Sequence, residues 1–260
     1  MKQEMMQIVK QKMIAKDIFE LTLTGNLTKE MTTPGQFLHI KVPQQDLLMR
    51  RPLSLASVDQ QKKECVVIYR TEGTGTKRLS GLTSGGELDV LGPLGNGFKI
   101  CDVKKEEHIL LVGGGIGVPP LYELSKQLKS KGAIIHHILG FHDKSALFYI
   151  DKFKKLGTIS ITTDNGSYGI KGHIGAALPE YLESVTPDAI YACGPNALLK
   201  VINQQFLEHP RAYLSLEERM ACGIGACYAC VCHVADDPSG QKSKKVCDEG
   251  PIFKTGEVIV

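Results

Sequence analysis

The chain has 260 residues, 42% of them hydrophobic, and a formal net charge of +3. This length allows two or three compact domains, while the small charge and scattered Lys and Arg residues exclude nucleic acid as an expected partner. No apolar run approaches the roughly 18 to 20 residues of a membrane span, and the first residues lack the apolar stretch of a signal peptide. The eight cysteines are therefore expected to be reduced thiols or metal ligands in the cytoplasm.

Residues 1–101 are predicted to form an antiparallel β-barrel. Short β-type runs at 18–23, 36–42 and 65–70 are separated by Gly, Pro and Asp, as is typical of such barrels. Within them lies an Arg-Pro-Leu-Ser motif at 51–54, whose guanidinium can hold a diphosphate through two parallel hydrogen bonds. Considered alone, this motif is more typical of a solvated strand.

A second candidate phosphate-binding motif follows about twenty residues later. Gly75 and Thr76 precede a short helical pattern, where free N–H groups attract phosphate oxygens. The alternative is that Gly73 and Gly75 form a hairpin turn. The two motifs in this order resemble the FAD-binding domain of the ferredoxin reductase superfamily. Leu53 replaces an aromatic residue of many relatives, so stacking on the flavin is expected to differ or to fall to Tyr69. The resemblance implies an FAD site made of Arg51, Pro52, Leu53, Ser54, Ile68, Tyr69, Arg70, Gly75 and Thr76.

Residues 102–213 are predicted to form an α/β domain with a parallel sheet. The apolar runs suited to its strands are 109–112, 134–139, 158–162 and 189–192. The first run leads into a glycine loop at 113–117 and then a helix, a geometry that can cradle phosphate at the carboxyl ends of the strands. The loop does not match G-x-G-x-x-G, and a tight βα turn explains it equally well.

Together with the segments 163–166 and 193–195, the glycine loop resembles the NAD(P)H module of the same superfamily. Asp143, after the second strand, favours NAD over NADP because a carboxylate can bind the ribose 2′-OH. The resemblance implies that Cys193 to Pro195 lie near the nicotinamide ring. The candidate NAD-binding residues are Gly113, Gly114, Gly115, Asp164, Asn165, Cys193, Gly194 and Pro195.

Residues 214–260 contain four bunched cysteines. Cys222, Cys227, Cys230 and Cys247 follow the pattern C-x4-C-x2-C…C, which supplies the four thiolates of a [2Fe–2S] cluster. Glycines between them allow positive φ angles and bring backbone N–H groups against the sulfurs. A structural zinc site is the alternative, although such sites usually group their ligands as two separated pairs. Cys232 is an additional thiol, either a replacement ligand or an inert small hydrophobic residue.

The barrel, nucleotide domain and cysteine segment are similar in this order to the family of electron transfer subunits of dihydroorotate dehydrogenase B. The match is most specific at 215–230 and 247–253, and the linker before Cys247 is somewhat longer than the family leads us to expect. The resemblance implies a partner subunit with FMN that oxidises dihydroorotate to orotate in pyrimidine biosynthesis. It also implies electron flow through the cluster and FAD to NAD⁺, in a heterotetramer of two catalytic and two electron transfer subunits.

This function needs no acid–base side chain, so no catalytic residue is predicted. Nicotinamide exchanges two electrons as hydride and a [2Fe–2S] cluster takes one, so FAD, which does both, must lie between them. The nearest alternative is the flavin and iron–sulfur subunit of a ferredoxin-dependent NAD(P)H oxidoreductase or a sulfhydrogenase. A redox sensor or scaffold that binds nucleotide without turnover is a second alternative. His136, His137 and His173 are expected to be ordinary strand or helix-start residues.

Overall fold

A computed structural model describes residues 1–43 and 46–260 of the chain. It confirms the predicted fold class, with a closed six-stranded antiparallel barrel, a mostly parallel seven-stranded sheet and a small C-terminal segment. No helix within these described ranges is long and apolar enough to cross a membrane.

The barrel is built from strands whose alternate side chains point into an apolar core. Its order is β1-β2-β5-β4-β3-β6, and neighbouring strands are antiparallel. Leu88 and Val90, two positions apart on the sixth strand, are both buried because side chains on a strand alternate between its two faces. A 3₁₀ turn (Asn26–Glu30) and the helix α1 (Thr74–Leu79) accompany the barrel. The strands are β1 (Lys2–Ala15), β2 (Ile18–Thr24), β3 (Phe37–Lys41), β4 (Arg51–Asp59), β5 (Glu64–Arg70) and β6 (Glu87–Leu94).

The second unit contains the four predicted parallel strands, which are β7, β8, β9 and β11 of the following set. The strands are β7 (His108–Gly114), β8 (Ile134–Phe141), β9 (Thr158–Thr163), β10 (Ile170–Lys171), β11 (Ala189–Cys193) and β12 (Ala212–Ser215). The helices are α2 (Val118–Ser130), α3 (Ile150–Lys154), α4 (Leu178–Ser184) and α5 (Asn196–Gln205). Short 3₁₀ turns are Gly115–Gly117, Lys144–Ala146 and Ile174–Ala176. Because β11 is buried along its whole length, it is apolar throughout rather than alternating.

The C-terminal segment is shared between two sheets. Strands β13 (Val231–His233) and β14 (Ser243–Lys245) form a hairpin, whereas β15 (Ile252–Lys254) pairs antiparallel with β12. The large sheet therefore has the order β10-β9-β8-β7-β11-β12-β15. The predicted division of the chain at 213/214 falls inside β12, and that at 101/102 falls between β6 and β7; both divisions remain predictions.

Buried polar contacts join the barrel to α2 of the second unit. The Glu123 side chain is 6% exposed, and its Oε2 accepts hydrogen bonds from the Val58 N–H at 3.0 Å and from Lys126 Nζ at 2.8 Å. Lys126 also donates to Ser57 Oγ at 3.0 Å. Since buried charges need such partners, these contacts fix how α2 packs against β4 of the barrel.

His137 is a buried strand residue whose protonation state follows from its partners. Its Nδ1 lies 2.9 Å from the Thr158 carbonyl and its Nε2 lies 2.8 Å from Ser125 Oγ. A carbonyl only accepts, so Nδ1 carries the hydrogen and Nε2 accepts from the serine. Burial lowers the pKa of His137 to about 4, and the ring is therefore neutral at pH 7.

We expect His137 to make folding less favourable in mild acid. The unfolded histidine takes up a proton near pH 6.5 and the folded one does not, so the free energy of unfolding should fall between about pH 6.5 and pH 4. The loss between pH 7.5 and pH 5 amounts to roughly 2 kcal/mol by this linkage. Urea denaturation of the native chain and of His137→Asn at both pH values measures it, because the variant lacks this slope. Parallel losses in the two proteins would rule out His137 as the cause.

Candidate flavin, nucleotide and iron–sulfur sites

A cavity of about 220 Å³ lies where the barrel, the glycine loop and the C-terminal segment meet. Seven of the nine residues predicted for FAD line it, all from β4, β5 or α1. They are Pro52, Leu53, Ser54, Ile68, Tyr69, Arg70 and Thr76. Motifs about twenty residues apart in sequence are thus brought together by the pairing of β4 with β5.

Arg51 and Gly75, the other two predicted residues, contact each other beside this cavity. A Cβ on Gly75 would lie 2.7 Å from the Arg51 Nη2, so only glycine leaves room for the guanidinium there. Gly73, two residues earlier, would place its Cβ more than 4 Å from every other described group. Gly75 and Thr76 lie inside α1, which begins at Thr74, rather than before it. The glycine therefore determines where the Arg51 charge lies.

Tyr69 is buried where the barrel core meets the cavity. The side chain is 1% exposed, and its hydroxyl donates a 2.9 Å hydrogen bond to Gln11 Oε1 inside the barrel. Burial also raises the pKa of Tyr69, which keeps the hydroxyl protonated. The expectation that stacking on the flavin differs or falls to Tyr69 stays a prediction. Tyr69 belongs to the wall of the cavity.

The opposite wall of the cavity was not predicted. It comes from β3, the residues just after β5, the glycine loop, the residue before β15 and the segment that leads to the cysteines, which starts at the end of β12. These additional lining residues are Phe37, Glu72, Ile116, Ser215, Leu216, Glu217, Glu218, Met220 and Pro251. Glu217 is open to the cavity, whose walls desolvate the carboxyl and raise its pKa. The sequence signal for this wall was the 215–230 segment, whose location only the fold reveals.

The glycine loop and the 193–195 segment are in direct contact. Gly113 pairs with Cys193 in the register of β7 and β11, and a Cβ on Gly117 would lie 2.5 Å from the Gly194 nitrogen. Gly115 has a φ of +52°, which favours glycine. Burial raises the pKa of Cys193, so its thiol is neutral. Because Ile116 of this loop lines the cavity, the candidate nicotinamide residues adjoin the candidate flavin residues.

Asp164 and Asn165 lie at the same edge of the sheet but two strands away. They follow β9, which β8 separates from β7, so the spacing of strands puts them roughly 10 Å from Gly113. Asp164 Oδ2 lies 3.1 Å from His142 Nδ1, and its Oδ1 lies 3.1 Å from His173 Nδ1. The candidate nucleotide residues thus extend along one edge.

Asp143 follows β8, between the glycine loop and the end of β9. Its Oδ1 accepts from the Ser145 N–H at 2.7 Å and from the Ser145 hydroxyl at 2.6 Å. These hydrogen bonds lower the pKa of Asp143 and keep it a carboxylate. Its second oxygen remains a possible acceptor for a ribose hydroxyl.

The four predicted cysteine ligands form two pairs connected by backbone N–H groups. The Cys227 side chain lies beside Cys222, and the Cys230 side chain lies beside Cys247. The Gly225 N–H points at Cys247 Sγ at 3.2 Å, and the Cys247 N–H points at Cys230 Sγ at 3.4 Å. Backbone N–H donors directed at cysteine sulfurs are the support that the thiolate ligands of an iron–sulfur cluster need.

The electrostatics of Cys222 favour a thiolate. Burial acts to raise the pKa of Cys222, but hydrogen bonds from the backbone of Ile224 and from Cys227 outweigh it and lower the pKa to about 6. The Ile224 N–H lies 3.5 Å from the sulfur. A thiolate is the form that binds metal, so this loop is prepared for ligation.

Cys232 is separate from the two pairs. It lies in β13, 7% exposed, with its Sγ 3.6 Å from the Lys244 carbonyl across the hairpin. Burial raises the pKa of Cys232 to about 11. The long linker before Cys247 is the tip of this hairpin, where Asp237 Oδ2 accepts from the Lys242 N–H at 2.6 Å. The extra linker length is thus accommodated in the β13–β14 turn.

Comparison with known proteins decides among the alternatives. An oxidoreductase FAD-binding domain model matches residues 5–98, and a model of the iron–sulfur cluster binding domain of dihydroorotate dehydrogenase B matches residues 217–259. The chain is 56% identical over its full length to 99% of the dihydroorotate dehydrogenase B (NAD(+)) electron transfer subunit of Enterococcus faecalis. It is 49% identical to all of the corresponding subunit of Bacillus cereus. The chain belongs to this family.

Membership in the electron transfer subunit family confirms the resemblance found in the sequence. It establishes an NAD-dependent oxidoreductase subunit whose cofactors are FAD, a [2Fe–2S] cluster and NAD. Among solved structures, the NADH-dependent reduced ferredoxin–NADP oxidoreductase superposes with a TM-score of 0.86 at 32% identity, over 98% of this chain and 90% of that one. Phthalate dioxygenase reductase, at 19% identity and a TM-score of 0.65 over 98% and 77% of the two chains, shares the fold.

Proposed function

We propose that this chain transfers electrons from the FMN of a dihydroorotate-oxidising catalytic subunit to NAD⁺, in pyrimidine biosynthesis. The observation that carries the proposal is the shared cavity, to which the flavin motif, the glycine loop and the segment leading to the cysteines all contribute. Relatives with this named activity are 49% to 56% identical, against 32% for the ferredoxin-dependent alternative. When bound, FAD exchanges hydride with nicotinamide and single electrons with an iron–sulfur cluster.

The flavin site is proposed to work by positioning. Arg51 neutralises and orients the diphosphate, and Gly75 allows the guanidinium to lie against α1. Leu53 and the other apolar lining residues exclude water from the ring. The set predicted from the sequence (Arg51, Pro52, Leu53, Ser54, Ile68, Tyr69, Arg70, Gly75 and Thr76) is proposed in full.

The nucleotide site is proposed to lie along the carboxyl edge of the sheet. The glycine loop holds phosphate. Cys193, Gly194 and Pro195 place the nicotinamide beside the flavin cavity, because they adjoin the glycine loop and Ile116 of that loop lines the cavity. Asp143 favours NAD by accepting a ribose hydroxyl. The proposed set is Gly113, Gly114, Gly115, Asp164, Asn165, Cys193, Gly194 and Pro195.

Cys222, Cys227, Cys230 and Cys247 are proposed as the cluster ligands. Two of them are half-exposed and two are buried, so one side of the site opens toward solvent. We place the catalytic subunit against that side, in a heterotetramer of two subunits of each kind, within the cytoplasm. The exposed side chains of Ile224 and Tyr228, in the same loop, provide apolar surface for such a contact.

Anaerobic reduction of the purified protein by NADH tests the proposal. Absorbance should show flavin bleaching, and electron paramagnetic resonance should show a reduced [2Fe–2S] signal. In a separate assay, NAD⁺ should be reduced when dihydroorotate and the catalytic subunit are supplied. A protein that binds FAD but passes no electrons from NADH would be a nucleotide-binding module instead. Co-purification with an FMN protein that does not consume dihydroorotate would favour the ferredoxin-dependent alternative.

Lys245 carries the cationic group that holds the cysteine loop. Its Nζ donates to the Gly225 carbonyl at 2.6 Å and lies 4.5 Å from the centre of the Tyr228 ring. The N–H of the same Gly225 points at Cys247 Sγ. The ammonium group and a proposed ligand sulfur are therefore both bound to the backbone of Gly225.

We expect Lys245→Met to lower the reduction potential of the cluster. Reduction adds negative charge, which a nearby cation stabilises, and a half-buried charge at this range is worth on the order of 1 kcal/mol, or roughly 40 mV. A redox titration followed by electron paramagnetic resonance measures the shift. Lys242→Met is the matched control, because Lys242 is exposed at the hairpin tip. Equal potentials in the two variants would contradict this role.

A further inference from the structure

His39 is a buried barrel residue wedged against the cysteine loop. It lies in β3, opposite Pro52 of the flavin motif in β4, and its side chain is 0% exposed. Gly223, which follows the proposed ligand Cys222, has a φ of +73°, and a Cβ there would lie 2.5 Å from His39 Nδ1. The imidazole ring therefore packs directly on the backbone of Gly223.

The ring of His39 lacks hydrogen-bond partners that its burial demands. Neither ring nitrogen has a partner of normal geometry among the described residues. An imidazole ring carries at least one N–H in either protonation state, so His39 has a donor to place here. The backbone groups of Cys222 and Arg50 are the polar groups beside the ring. Leaving a buried donor unpaired costs about 1–3 kcal/mol, which a small movement of the loop would recover.

We propose that His39 is a positioning residue of the iron–sulfur centre, whose ring N–H hydrogen-bonds the Cys222 backbone carbonyl when the cluster is assembled. The proposal rests on the proposed function, since it takes Cys222 as a ligand. Its consequence is geometric: one side chain connects the strand paired with the flavin motif to the loop that holds the cluster. That connection holds the cluster loop at a fixed distance from the flavin motif. Rigid support of this kind generally fixes the orientation of metal ligands.

The experiment compares His39→Leu, which removes the N–H at similar volume, with His39→Gln, which retains a donor. Both proteins are reduced with dithionite, so that electron paramagnetic resonance reports the cluster without using NADH. In His39→Leu we expect an altered spectrum of the reduced cluster and loss of iron to a chelator about fivefold faster, the effect of one net hydrogen bond. His39→Gln should restore both readouts most of the way, and flavin reduction by NADH should be equal in all proteins.

A glycine pair tests the same contact from the other side. Gly223→Ala should displace the ring and reproduce the His39→Leu spectrum. Gly240→Ala is the matched control, since Gly240 has a similar φ of +64° and its Cβ would meet no described atom within 4 Å. Gly240→Ala tests the strain of an alanine at positive φ by itself. We expect this variant to show the native cluster spectrum and the native rate of iron loss to the chelator.

A native spectrum and native chelation rate in His39→Leu would overturn the proposal. Equal damage in the Leu and Gln variants would also overturn it, because it would indicate packing alone. Failure of the native protein's cluster to accept electrons from NADH would count against the proposed function, while the dithionite and chelator measurements would still decide the role of His39.

Discussion

Cys227→Ser should abolish the iron–sulfur cluster and leave the flavin in place. Its thiol pairs with Cys222, and serine's hydroxyl is a poor replacement for a thiolate ligand of iron. Iron content should fall from about two atoms per chain to near zero. Electron transfer from the catalytic subunit to NAD⁺ should be lost, whereas NADH oxidation by an artificial two-electron acceptor should continue, since that reaction needs only the flavin.

Cys232→Ser is the matched control for this loss. Cys232 lies five residues along the chain, but its sulfur contacts the Lys244 carbonyl inside the hairpin. Serine can keep a hydrogen bond to that carbonyl, so iron content and electron transfer should match those of the native protein. Iron retention in Cys227→Ser, or iron loss in Cys232→Ser, would require a different set of ligands.

Arg51→Met should weaken FAD binding by about 10- to 100-fold. The guanidinium is the cationic group of the flavin motif, and hydrogen bonds to a charged partner contribute about 1.5–3 kcal/mol each. Flavin released on dilution becomes fluorescent, so a fluorescence titration of the reconstituted protein gives the dissociation constant directly. Methionine keeps the length of the aliphatic stem, which limits the change to the loss of charge and donors.

A pair of glycine substitutions separates the position of this charge from its presence. Gly75→Ala would push the Arg51 guanidinium from its place and should weaken FAD binding in the same direction. Gly73→Ala adds a methyl group in open space, at a φ of −109° that any residue adopts, and should bind FAD normally. If both alanine variants bind FAD as the native protein does, Arg51 does not act from the position found beside α1.

Local patterns in the amino-acid sequence were sufficient to predict the main strands and the kind of redox chemistry. The spacing of the four cysteines, the continuous apolar run that became β7 and the glycines after it each depend on a few neighbouring residues. Strand periodicity and turn residues are likewise properties of short segments, because the backbone at each position is limited by its own side chain and its nearest neighbours. These signals predicted the fold class, and the resemblance to a known family that they carry implied the cofactors.

The tertiary structure alone decided how these pieces meet. The wall formed by Ser215 and Glu217, the return of β15 to the large sheet and the burial of the Tyr69 ring depend on contacts between distant parts of the chain. His39 and Gly223 are in contact although 184 positions separate them by residue number (223 − 39). No local pattern specifies such pairs, because they arise from the packing of whole strands and domains, in which many apolar surfaces compete for the same burial.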